Sequence, residues 1–331
     1  MNNIYEKNPP ILNNFLNYLL GIRNYSIRTI KAYNSSLNIF FEFILKYMNL
    51  KIELKKINTI ILLQVKKSDI IAFLVYCNFT RENTAETRQC KLAAIRTFYK
   101  WLLSTIPGGY LQINPTSEIP NIEKIEKIPR HLSLDQAKRI QEIFTIENSK
   151  FPVRNNAIIS TFLSTGARAS ELINANLNNV NLKTGTLTVI GKGNKERILY
   201  LNNTCKEKLF KYINQRNRHK KIVDLNEPLF LNKNGHRIGI DGVEDICNKA
   251  YELIGLGNCG YTTHTLRHTA ASMIYIYVTQ DILVLKNFLN HKSVSSTEIY
   301  THIYKQHIKE AVDKNPLNNF EKTENREEEA A

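Results

Sequence analysis

Residues 11–106 read as one helix after another, with no good strand pattern. In ILNNFLNYLLGI, Ile11, Phe15, Leu19 and Ile22 follow at spacings of four, four and three, and Gly21 suits the C-terminal end. A second helix begins after Tyr25 with Ser26 as its N-cap. Its apolar stripe includes Ile30, Tyr33, Leu37, Phe40, Phe41 and Ile44. A third, SDIIAFLVYCN, is expected to take Ser68 as its cap. A fourth, TAETRQCKLAAIRTFYKWLLS, carries Leu92, Ile95, Tyr99 and Leu102 on one face and offers Arg88, Lys91 and Lys100 on the other. PGG at 107–109 stops it. Together these predict a small helical domain, residues 1–110, with basic outer faces.

Residues 111–130 hold three prolines and no sustained period, which predicts a linker. A second domain is expected over 131–316. It opens on a capping box, Ser133 with Gln136 three residues later. The helix RNNAIISTFLSTG ends at Gly166, and TLTVIGKGNKERILYL reads as a hairpin turning at GKGNK. Helix follows again to about residue 314. Residues 317–331 form an acidic tail, EKTENREEEAA at its end, expected to be disordered.

Composition narrows the partner. The chain has 331 residues and a formal net charge of +15, for which a polyanion is the simplest counterpart. No apolar run is long enough to span a bilayer, and MNNIYEKNPP lacks a signal-peptide pattern, so a soluble cytoplasmic protein with no membrane partner is expected. The five cysteines form no CxxC pair and are odd in number, which argues against a disulfide framework or a zinc module.

The chemistry concentrates in four fragments: TGARASEL at 165–172, VIGKGNKER at 189–197, HTLRH at 264–268 and NHKSVSSTEIYTHIY at 290–304. Thr263 can cap a helix that starts at HTLRH, which places His264 and Arg267 one turn apart on one face. His264 and His268 have a spacing that also suits zinc. The metalloprotease version needs a glutamate where Thr265 stands, and Arg267 between the two would repel a cation. His268 reads as a structural histidine, and no metal or other cofactor is expected. Tyrosine, two arginines, two histidines and a lysine suit attack on a phosphodiester. Arginines stay charged and clamp the non-bridging oxygens, histidines move protons, a lysine protonates the leaving oxygen, and a tyrosine ester conserves the bond energy.

In their order and gaps the four fragments resemble the tyrosine recombinases, and the compact Xer-type members most. The resemblance runs from the first helix to about residue 316. It implies an α+β, mainly helical fold: an N-terminal four-helix SAM-like core-binding domain, then a mixed α/β catalytic domain with a small β-hairpin sheet. Residue by residue, it implies that Arg168, Lys192, His264, Arg267 and His291 are catalytic and that Tyr300 is the nucleophile. Tyr304 lies one helical turn too far from His291. The family has glycine before its second histidine. This chain has Asn290, which also tolerates the left-handed backbone a helix end requires. Glu171 is expected to support an arginine through a structural ion pair.

The resemblance further implies double-stranded DNA carrying a specific site as substrate, a 3′-phosphotyrosine, a Holliday junction, and a homo- or hetero-tetramer that can include a second recombinase. Beginning at the core-binding helices, without an arm-binding domain, favours chromosome or plasmid dimer resolution. The alternatives are a mobile-element or phage integrase, a type IB topoisomerase-like enzyme, and a catalytically silent DNA-binding protein.

Overall fold

The computed structural model describes residues 6–108, 113–123, 129–191, 195–219, 221–290, 300 and 312. They belong to two compact units, Met1–Glu126 and Lys127–Ala331.

In the first unit, four long helices and one short one bury their apolar stripes in a common core. They are α1 (Pro10–Gly21), α2 (Ile27–Tyr47), α3 (Thr59–Leu63), α4 (Lys67–Phe79) and α5 (Ala85–Thr105). Ser26 caps α2 as expected, its hydroxyl accepting from the Thr29 amide at 3.2 Å. Phe15, Phe40, Phe41, Phe73 and Phe98 meet in the core, several of them edge to face, an arrangement that suits the ring quadrupoles.

Four details differ from the sequence reading. In α1 the buried face is Leu12, Phe15, Leu16 and Leu19, and Ile22 lies outside, 70% exposed. Helix α4 begins two residues early: the Asp69 carboxylate accepts from the Lys66 amide at 2.8 Å, so Ser68 sits inside the first turn and caps nothing. Lys91 is not on an outer face. It is buried, and its ammonium donates to the Asn83 side-chain oxygen, as a buried charge must. Residues 113–123, read as linker, dock on the helices instead. Ile119 enters their core, Gln89 and Arg96 both donate to Asn121, and the Ile122 amide donates to Gln89.

The second unit is built around α7 (Pro152–Thr165), which is buried nearly all round. Its interior hydroxyls satisfy themselves within the helix: Thr161 donates to the Ala157 carbonyl at 2.7 Å and Thr165 to that of Thr161 at 2.6 Å. Before α7 comes α6 (Leu134–Ile140), opened by the reciprocal Ser133–Gln136 box. After it come α8 (Ala169–Asn174) and a three-stranded antiparallel sheet, β1 (Val180–Asn181), β2 (Thr186–Ile190) and β3 (Glu196–Tyr200), in the order β1–β2–β3. The β2–β3 hairpin pairs Thr186 with Tyr200 through Ile190 with Glu196. Four helices complete the described part: α9 (Asn203–Asn217), α10 (Ile240–Leu253), α11 (Thr263–Tyr277) and α12 (Ile282–Leu289). Helices α9 and α11 flank α7. The N-cap of α11 is Thr262, one residue before the expected Thr263.

Candidate active site

Two helix ends set the site's backbone. Gly166 closes α7 in the left-handed conformation, φ 58°. A side chain there would be strained, and its Cβ would stand 2.9 Å from a ring carbon of Phe288 on α12. Asn290 closes α12 in the same conformation, φ 48° and ψ 53°, the role the sequence assigned to it.

Arg267 joins these two ends. Its side chain is 4% exposed, and its guanidinium donates to the Gly166 carbonyl and, at 2.6 Å, to that of Leu289. Burial first, then the charges of Arg168 and Arg197, pull it down to about 10, which leaves it protonated at neutral pH.

Arg168 is the N-cap of α8, one turn before Glu171. The Glu171 carboxylate accepts four hydrogen bonds: from the Arg168 amide at 2.7 Å, from the Arg168 guanidinium at 3.0 Å, and from Arg197 at 3.2 and 2.7 Å. Arg197 also donates to the Phe288 carbonyl at 3.3 Å. The carboxylate therefore ties α8 to the β-hairpin, and Arg197 ties the hairpin on to the end of α12. Burial would raise its pKa, but the Arg197 and Arg168 bonds and charges prevail and hold it below the usual carboxylate range. Glu171 thus has the structural pairing the sequence suggested for it.

Glu171→Ala should cost about 3 kcal/mol, because it strands Arg197 in the interior. Chemical denaturation at neutral pH checks this. A carboxylate with a depressed folded pKa stabilises above its unfolded value and loses that contribution as pH falls through the folded one. The stability gap between the parent protein and Glu171→Gln should therefore narrow as the pH drops below the ordinary glutamate value of 4.5.

His264 lies in the first turn of α11 on the exposed side. Partial desolvation, then Arg267 and Arg168, lower its pKa. Tyr300 is fully buried against Ala271, Tyr275, Leu285 and Leu289. Its hydroxyl lies 2.7 Å from Nδ1 of His268. Burial raises it to about 12 although Arg267 acts in the opposite direction. Arg267 lies one turn after His264 on α11, donates to the Gly166 carbonyl two residues before Arg168, and donates to the carbonyl of Leu289, against which Tyr300 packs, so these four sequence-predicted residues lie in one neighbourhood. Lys192, His291 and Tyr304 lie outside the described residues; the Gly191 amide donates to the Lys195 carbonyl at 2.8 Å.

Sequence reasoning missed Arg197. Arg197 shares a strand face with buried Leu199, so the period of two already pointed a charge inward, where it needs a partner. His268, read as a satisfied structural histidine, is satisfied by the tyrosine hydroxyl.

Chemically, the arrangement offers permanent positive charge beside a phenol and an imidazole. That suits an anionic centre attacked by an oxygen.

Comparison with known proteins agrees. The model of the phage integrase family matches residues 130–307, and that of the phage integrase N-terminal SAM-like domain matches 12–105. The chain is 36% identical over 319 residues to the tyrosine recombinase XerC of Caldanaerobacter subterraneus subsp. tengcongensis, covering 94% of this chain and 88% of that protein. It is 28% identical over 305 residues to XerD of Listeria monocytogenes, covering 91% and 96%. Among solved structures, its fold is similar to XerH recombinase bound to a palindromic difH substrate, with a TM-score of 0.71 at 20% identity over 93% of this chain and 97% of that one. It is also similar to a lambda integrase tetramer on a Holliday junction, with a TM-score of 0.61 at 16% identity over 86% and 76%.

Proposed function

The chain belongs to the phage integrase family as a Xer-like site-specific tyrosine recombinase, and on that premise we propose that Tyr300 attacks a DNA phosphodiester clamped by Arg168 and Arg267. The observation that carries this reading is that Arg267 donates to the carbonyl of Gly166, two residues before Arg168, and to that of Leu289, against which the Tyr300 ring packs. Tyr300 Oη forms a bond to phosphorus, the bond to the 5′ oxygen breaks, and a 3′-phosphotyrosine remains. The phenol proton passes to water as that bond forms. The departing 5′ oxygen takes up a proton, the role proposed for Lys192 on the hairpin. The ester keeps the bond energy, so a 5′-hydroxyl from a second duplex can reverse the step without a nucleotide cofactor. His264 and His291 donate to the phosphate oxygens.

The substrate is duplex DNA carrying a specific site, bound by a tetramer, which places the work in the compartment that holds the DNA. The lysines and arginines of both domains make that binding salt-dependent. The resemblance to XerC and XerD favours chromosome or plasmid dimer resolution over integration of a mobile element. Strand transfer between two DNA fragments carrying candidate sites from the source replicon tests this. Relaxation of a single supercoiled duplex without exchange would instead identify a topoisomerase.

Arg168 and Arg267 supply fixed charge to the transition state, so no divalent ion is required of the chemistry. Covalent cleavage of a nicked suicide substrate should proceed at an unchanged rate in excess EDTA. Loss under EDTA, restored by a divalent ion, contradicts the mechanism.

A further inference from the structure

The hydroxyl that must meet a phosphate is enclosed. Tyr300 has no solvent-exposed area, so nothing the size of a phosphodiester can approach it where it stands. One face of α11 makes the enclosure: His268, Ala271 and Tyr275 follow at i, i+3 and i+7, and Leu285 and Leu289 of α12 close it. Within this apolar setting the phenol has one polar contact among the described residues, His268 Nδ1 at 2.7 Å.

We propose that His268 is a positioning residue for the nucleophile: its Nδ1 holds the Tyr300 hydroxyl in a sheathed resting place, from which the side chain must swing to reach DNA. The inference rests on Tyr300 being the nucleophile. His268 does not serve as the base. Burial, followed by His264, Arg267 and His131, pulls it down to about 4, while Tyr300 stands at about 12, so the proton stays on oxygen and the neutral ring accepts a hydrogen bond. A neutral imidazole also adds no charge to a phosphate clamp. What it gives the tyrosine is a partner inside an apolar pocket. Without that partner the buried hydroxyl is unsatisfied, which drives it towards water.

The test uses the full-length, DNA-free protein and nitration of tyrosines by tetranitromethane, mapped by peptide mass spectrometry. Tyr200 and Tyr277, 74% and 60% exposed, serve as internal references. In the parent protein Tyr300 should resist while the references react. His268→Leu should raise Tyr300 nitration on the order of tenfold, the scale of one buried unsatisfied hydroxyl. His268→Asn, whose amide oxygen can stand near the position of Nδ1, should restore protection. Should His268→Leu fail to fold, His268→Asn against His268→Gln decides: Asn protects and Gln, with its amide further out, does not. Equal protection in all variants, or Tyr300 reacting as fast as Tyr200 in the parent protein, overturns the proposal. No DNA is present, so this failure is distinct from a trapped adduct that maps to another tyrosine.

Discussion

Tyr300→Phe is expected to bind DNA as the parent protein does and to form no covalent adduct at all. The substitution removes one oxygen and leaves the ring, which fills the pocket formed by Ala271, Tyr275, Leu285 and Leu289. The fold loses only the bond to His268, worth about 1 kcal/mol. The chemistry loses its proposed nucleophile, the oxygen that would form the covalent ester. A labelled suicide substrate resolved on a denaturing gel reads the result, with a filter-binding measurement alongside. Tyr304→Phe should still form the adduct. A trapped peptide carrying the phosphate on Tyr304 would reverse the assignment.

Arg168→Ala and Arg267→Ala should each slow cleavage by about 10²- to 10³-fold, the usual effect of removing one stabiliser of developing negative charge. DNA binding should fall far less, since many other basic residues track the backbone. The structure adds a distinction between the two. Arg168 is about a third exposed, so its loss should leave stability nearly intact. Arg267 is buried and holds two carbonyls at helix ends, so its loss should also lower the denaturation midpoint. Arg267→Lys should rescue neither property, because an ammonium cannot span both carbonyls as the planar fork does. Cleavage by either alanine variant at near the parent rate contradicts that residue's role.

Much of this was legible in the sequence because the physics involved is local. Ser26, the Ser133–Gln136 pair, Gly166 and Asn290 each satisfy or end a helix within a few residues of themselves. The two β-rich runs around GKGNK read as the hairpin that β2 and β3 form. What escaped depends on distant partners. Lys91 looked solvated because nothing nearby in sequence announces that its face of α5 is covered. Helix α3 is only five residues long, too short to show a period. Ile119 sits between prolines, and only the groove it fills makes it a core residue. Within the site, Arg168, Arg267 and Tyr300 were nameable from motifs. The bonds from Arg267 to two helix ends and from Tyr300 to His268 span 101, 22 and 32 positions, beyond any local pattern.

The carboxylate of Glu171 has a consequence for how this protein can change. An ordinary ion pair can be inverted by exchanging its members. Here that route is shut. Exchanging Glu171 with Arg197 would set a new arginine against Arg168, which already leans on the same carboxylate from the other side. Reversing Arg168 as well would remove the charge proposed to clamp the phosphate. The three positions can therefore drift only as a block, and a hairpin transplanted from a relative will function here only if it brings its own cation to the place of Arg197.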